Sequence, residues 1–309
     1  MNRVLKLIHA EYAYERNILG QKIHVAILDT GAYAHTAFKD RVVDFQDYVY
    51  GMPNMYDDNG HGTHVTGIVG GRLPKANFCG VAPECRFHIY KVLNANGNGK
   101  IRSVVLAVED IVKYQKQNQI RIINISVGMA NAEETKEQKR LLEVLDYAWS
   151  QGIVVVAAAG NNGPGKNTVT YPGSAKKIIT VGSADDRGIG LGAGLRRGYS
   201  GVGPTSECIV KPEILVPGTN IRSCGIQTPE SMAIKSGTSM AAPVVSGMIA
   251  LLLSRYPDLT PAQVKRRLFD AVVEVRGNPN CWGFLMADRL LAKEKWENTD
   301  GIKSETGIF

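Results

Sequence analysis

Short, nearly continuous apolar runs alternate with stretches of helical spacing through most of this chain. The runs are Ile23 to Leu28, Phe87 to Leu93, Arg121 to Ser126, Ile153 to Ala159 and Lys177 to Val181. A strand with one face in water alternates apolar and polar residues; runs without that alternation suit strands covered on both faces. The helical stretches are His61 to Gly70, Arg102 to Gln117, Glu134 to Ser150 and, after the last run, Ser239 to Arg255. Strand and helix in alternation imply βαβ units, so an α/β fold with a mainly parallel sheet is expected. Leu259-Thr260-Pro261 offers an N-cap threonine and an N1 proline for one more helix, Pro261 to Val273.

At 309 residues, with 44% hydrophobic and 21% charged residues, the chain has enough apolar material for a sizeable core. No repeat or linker divides it, so one large domain is expected, followed by a polar tail over residues 292–309. The net charge of +7 is modest, and its basic clusters, Arg196-Arg197 and Lys265-Arg266-Arg267, are separate and carry no interleaved aromatics. They read as solvated faces, which argues against a nucleic-acid partner. Cys79, Cys85, Cys208, Cys224 and Cys281 include no CxxC pair, so neither a disulfide scaffold nor a zinc finger is expected. No apolar run before Glu11 would form a signal-peptide core, and no segment reads as membrane-spanning. The expectation is a cytoplasmic protein without a membrane partner.

Gly237-Thr238-Ser239-Met240-Ala241-Ala242-Pro243 places a serine on a turn that opens an apolar helix. A serine nucleophile needs a histidine base and a carboxylate to orient it. Asp29 ends the strand-like run Ile27-Leu28-Asp29-Thr30-Gly31, and His61 stands in the glycine-rich Asn59-Gly60-His61-Gly62-Thr63-His64-Val65. Zinc is the rival reading of two nearby histidines, but the zinc-peptidase pattern spaces them four apart with a glutamate beside the first, and Gly62 stands there instead. The nucleophile elbow Gly-x-Ser-x-Gly is excluded as well, because Ala241 replaces its last glycine and no histidine follows Ser239.

These three segments, in the order Asp, His, Ser, resemble the triad segments of the subtilisin-like serine peptidases, the subtilases. Gly80-Val81-Ala82-Pro83, Tyr199 to Thr205, Lys211 to Gly218 and Trp282-Gly283-Phe284-Leu285 extend the likeness over roughly residues 20–290. The resemblance implies a three-layer αβα subtilisin-like fold and a serine endopeptidase acting on polypeptides through an acyl-enzyme. In it Ser239 is the nucleophile, His61 the base and then acid, and Asp29 the orienter. Asn161, after Val154 to Gly160, lines the oxyanion hole with the Ser239 amide. His64 is a packed structural residue. A catalytically silent protein that keeps the fold for binding or regulation is the competing class, and the intact triad argues against it.

By the same resemblance, Gly97, Asn98 and Gly99 on one side and Ser126, Val127 and Gly128 on the other would hold an extended substrate by strand addition. Ala158, Gly160, Asn162 and Thr170 would border the S1 pocket. No acid occurs in those stretches, so a neutral or apolar P1 residue is expected. Pro74 and Ala37 stand where the family has calcium ligands, so no calcium is expected there and no cofactor is required, with room left for weaker calcium or sodium sites. Only about 20 residues precede the first strand. Leu7-Ile8-His9-Ala10 partly matches the segment that lies across the cleft of intracellular subtilisins, so residues 1–20 are read either as an occluding extension or as ordinary packing. Met129 to Arg140 reads as a charged helix approach.

Overall fold

The structure, a computed structural model, describes residues 1–128, 135–187, 197–206, 210–275 and 281–292; the tail and residues 129–134 lie outside them. Its centre is a nine-stranded sheet. From edge to edge the strands are Val272–Val273, Gly283–Leu285, Ile214–Val216, Ile179–Ser183, Val154–Ala158, Ile120–Ile125, His24–Asp29, Arg86–Lys91 and Val42–Asp47. All pairings are parallel except that of Val272–Val273 with Gly283–Leu285.

Successive residues of one strand serve different cores, as the two-residue period requires. Val25 and Ile27 pack on one face with the helices His61–Gly70 and Thr238–Arg255, while Ala26 and Leu28 pack on the other with Ile101–Lys113 and Lys136–Ser150. The result is the three-layer αβα arrangement that continuously apolar strands demand. His24–Asp29 is flanked by Arg86–Lys91 on one side and Ile120–Ile125 on the other, so the chain order reverses at this strand. Such a reversal opens a crevice at the carboxyl ends of the strands, and Asp29 is the last residue of this one.

The apolar runs mark the strands to within two residues at each end. What they miss is polar or short. Val42–Asp47 is an edge strand with mixed burial, and the antiparallel hairpin of Ile221–Cys224 with Met232–Lys235 lies outside the main sheet. The helix from Pro261 is capped by Thr260, which accepts from the Gln263 amide while the Gln263 side chain accepts from the Thr260 amide. It ends at Ala271, and the β-branched Val272 and Val273 become strand instead. One helix, Thr238–Arg255, is apolar and long enough to cross a membrane, a length that the sequence reading overlooked; 83% of it is buried in the core.

Residues 1–20 pack against the body of the domain. They form the helices Asn2–Leu7 and Glu11–Tyr14 and bury Val4, Ile8, Ala10 and Ala13 in the main apolar core. The Ile8 carbonyl accepts from Ala287 N–H, and the Tyr14 hydroxyl contacts the carbonyls of Gly80 and Val81. Apolar packing holds the segment to the body of the domain, and it makes no hydrogen bond to Asp29, His61 or Ser239.

Candidate active site

His61 opens its helix beyond the carboxyl end of His24–Asp29, and its Nδ1 lies 2.7 Å from Asp29 Oδ1. The carboxylate is fully buried, whereas the imidazole keeps 25% of its side-chain surface. Asp29 Oδ1 also accepts from the Thr30 N–H at 2.7 Å, while the buried Oδ2 has no hydrogen-bond partner. An orphaned carboxylate oxygen is costly unless positive charge arrives beside it, and imidazolium formation supplies that charge. Burial opposes a charged His61, but the charge and hydrogen bond of Asp29 outweigh it and hold the group above the ordinary histidine value; Lys235 pulls it down and Asp57 up. A Cβ on Gly62 would sit 2.1 Å from the Gly31 carbonyl and 3.1 Å from Asp29 Cβ, so only glycine lets the helix come this close.

A second carboxylate builds this corner. Asp57 Oδ1 accepts from Gly60 N–H at 2.8 Å and from the Thr30 hydroxyl at 2.8 Å; its Oδ2 accepts from Thr63 N–H at 2.9 Å and the Thr63 hydroxyl at 2.6 Å. Thr30 Oγ1 in turn accepts from Gly62 N–H at 2.9 Å. Asp57 therefore satisfies free amides at the start of the His61 helix and ties them to the residue after Asp29. Behind it, the fully buried Lys91 donates to the carbonyls of Thr30 and Leu93 and to Asp58. His64 is fully buried with Nε2 3.0 Å from the Ile221 carbonyl, and burial pushes it down to about 3, so it stays neutral.

Ser239 is the second residue of Thr238–Arg255, where its N–H has no intrahelical acceptor. Asn161 Oδ1 accepts from Thr238 N–H at 3.0 Å and the Thr238 hydroxyl at 3.1 Å, which leaves the amide Nδ2 as the outward donor on the same side as the helix start. Nδ2 would be 3.2 Å from a Cβ on Gly237, whose φ of +143° already favours glycine. A buried relay fixes the backbone of the serine: Ser246 Oγ donates to Asn124 Oδ1 at 2.8 Å, Asn124 Nδ2 to Ser126 Oγ at 2.9 Å, and Ser126 Oγ to the Ser239 carbonyl at 3.0 Å. The Ser239 hydroxyl and His61 share no hydrogen bond in this structure. Such contacts often tighten only when substrate is bound.

The binding residues expected from sequence divide in two. Gly128, Gly160 and Thr170 meet: a Cβ on either glycine would lie 2.4 Å or 2.2 Å from Thr170 Oγ1, and Ala158 is buried behind them. Asn162 is exposed at the rim. Gly97, Asn98 and Gly99 are exposed on a loop joined to the His61 turn by Asn59 Nδ2 donating to the Ala95 carbonyl at 2.8 Å. Val127 is half-buried, and Ser126 is 2% exposed with its hydroxyl committed to the relay. Thr30, Asp57, Lys91, Asn124, Thr238 and Ser246 were missed. Only Asp57 carried a sequence signal, as a capping residue before a helix.

The calcium expected of the fold does not fit the residues present. Ala37 is buried and apolar, and its carbonyl already accepts from Arg41 Nη2 at 2.8 Å and Arg72 N–H at 2.9 Å. The Arg41 guanidinium also bonds the carbonyls of Gly70 and Cys85, while Pro74 offers no side-chain oxygen. A guanidinium thus engages the Ala37 carbonyl, the one oxygen that residue could offer a hard cation. No group of three or more His, Cys, Asp or Glu side chains suited to a metal occurs among the described residues.

A model of the subtilase family, peptidase S8, matches residues 20–301. Serine protease AprX of Bacillus subtilis (strain 168) is 37% identical over 290 residues, covering 87% of this chain and 65% of that protein, so the chain spans just under two thirds of that relative's length. Subtilisin DY of Bacillus licheniformis is 35% identical over 267 residues, 85% of this chain and 88% of that protein. The crystal structure of a cold-adapted subtilisin-like serine proteinase superposes with a TM-score of 0.70 at 27% identity, covering 88% of this chain and 90% of the other. The chain belongs to the subtilase family of serine peptidases.

Proposed function

We propose that this chain is a serine endopeptidase that cleaves polypeptides through an acyl-enzyme. The observation that carries the reading is the 2.7 Å bond between His61 Nδ1 and the buried Asp29 carboxylate, set beside a helix that begins at Ser239. With Nδ1 engaged, Nε2 is the nitrogen left to accept the Ser239 proton as Oγ attacks the scissile carbonyl. The oxyanion that forms receives N–H bonds from Asn161 Nδ2 and Ser239 N–H. Collapse breaks the C–N bond, and His61 gives its proton to the leaving amine. A water molecule then repeats the sequence on the ester, releasing the acid and restoring Ser239.

Gly128, Gly160, Ala158 and Thr170, none of them acidic, support a P1 pocket suited to neutral or apolar side chains. The Arg41 contacts support a fold needing no calcium at Ala37 and Pro74. We place the work of the enzyme on cytoplasmic proteins: Cys79, Cys85 and Cys224 are free thiols, and burial pushes both Cys85 and Cys224 up to about 12, so none of these three requires an oxidising compartment. Cell fractionation tests that placement.

Labelling with a fluorophosphonate, using Ser239→Ala as control, tests the chemistry. Wild type is expected to label once and to cleave a neutral-P1 peptide, and the variant to do neither. Folded wild type that resists the label would assign the chain to the silent class.

A further inference from the structure

Lys235 is a cation beside the site with no ion-pair partner among the described residues. It ends the strand Met232–Lys235, four residues before Ser239, and pairs across the hairpin with Ile221, whose carbonyl lies 3.0 Å from His64 Nε2. Strand alternation puts Lys235 and Ala233 on one face and Ile234, 66% exposed, on the other. The hairpin also leans on the start of the His61 helix, since Ile226 lies 3.3 Å from where a Cβ on Gly60 would be. The face that carries Lys235 therefore looks onto the N-terminus of that helix, and its charge opposes protonation of both His61 and His64.

The fully buried lysines are matched, Lys91 by Asp58 at 2.7 Å and Lys211 by Glu213 at 2.8 Å. Lys235, half-buried, makes no hydrogen bond or ion pair among the described residues. An ammonium losing hydration without a partner favours an anion beside it.

Proton transfer identifies what meets this cation. Because Nδ1 is held by Asp29, the leaving amine must take its proton from Nε2, so the residues after the scissile bond depart along the His61 flank. The hairpin walls that flank. We propose that Lys235 selects substrates with Asp or Glu in the first two positions after the cleaved bond, an inference that rests on the endopeptidase reading. An incoming carboxylate supplies the missing counter-charge and removes the opposition of Lys235 to the imidazolium. Part of the gain therefore falls in the transition state, where His61 is charged.

The test is kcat/KM on internally quenched peptides that share a neutral P1 residue and carry Glu, Ala or Lys at the first or second following position. Wild type is expected to prefer Glu over Lys by about fivefold at low salt, the size of a partly solvated ion pair, with the ratio shrinking at high salt. Lys235→Met should flatten the ratio and Lys235→Glu should invert it, with fluorophosphonate labelling showing that each variant keeps a formed site. A wild-type ratio within about twofold, or an acid preference that survives in Lys235→Met, overturns the assignment. Wild type that neither labels nor cleaves any peptide overturns the endopeptidase reading and the Lys235 assignment with it.

Discussion

Replacing Lys91 by methionine should unsettle the site from beneath while leaving every proposed reacting group in place. Lys91 is fully buried, and Nζ donates to the Thr30 carbonyl at 2.7 Å, the Leu93 carbonyl at 2.9 Å and Asp58 Oδ1 at 2.7 Å. Methionine fills a similar volume but returns none of these bonds. Asp58 is 31% exposed, so water can replace its partner. The two carbonyls are buried, and each loses a donor at about 1–3 kcal/mol. Relief of the buried ammonium offsets part of that, leaving about 2–4 kcal/mol of destabilisation. For a domain of this size that is roughly 4–8 °C in Tm. Calorimetry should use the Ser239→Ala background, which prevents self-digestion. In the active background kcat should fall about tenfold, because Thr30, whose carbonyl Lys91 holds, donates its N–H to Asp29 Oδ1 at 2.7 Å. A Tm within about 1 °C of the parent would refute the reasoning, since the carbonyls would then have needed no donor.

Asp29→Asn should lower kcat on the order of 10⁴ by losing the tautomer, and should move the acid limb of the pH–rate profile to lower pH, because Asp29 is what raises His61. The same raised value predicts that the His61–Asp29 pair stabilises the fold fully below the ordinary histidine value of about 6.5 and less as pH rises through the raised one. A Tm series against pH in the Ser239→Ala background should show that slope, and adding Asp29→Asn should remove it. Asn161→Ala should reduce kcat by roughly 10²–10³ with little change in KM, a magnitude taken from a subtilisin rather than from this structure. Asn161→Asp should lose comparable activity yet keep its Tm, because it retains the Oδ1 acceptor used by Thr238. A chelator should leave the Tm of the parent unchanged, whereas Arg41→Ala should lower it with no rescue by calcium; a chelator-induced drop would count against the Arg41 assignment.

Sequence patterns marked the parallel core because its strands are covered on both faces, which forces apolar residues at every position of Val154–Ala158 and nearly all of His24–Asp29. The same patterns said little about Val42–Asp47, an edge strand free to be polar, or about the hairpin ending at Lys235, whose pairing is long-range rather than periodic.

Residue types and order pointed to Asp29, His61 and Ser239, since few side chains can attack, exchange a proton or orient a base, and the family likeness added Asn161. Their supports were not legible. Asp57, Lys91, Thr238 and the Ser246–Asn124–Ser126 relay act by filling hydrogen-bonding vacancies that exist only once strand ends and helix starts converge. The first 20 residues make the same point: a local likeness left an occluding strap and ordinary packing both open, and burial of Val4, Ile8 and Ala13 in the main apolar core is visible only in the structure. The sequence by itself determined the layered fold, through periodicity, and the residues proposed to react, through side-chain chemistry and family likeness. Only the tertiary structure decided which polar groups found partners and which, like Lys235, have none among the described residues, because that depends on contacts between residues far apart in the chain.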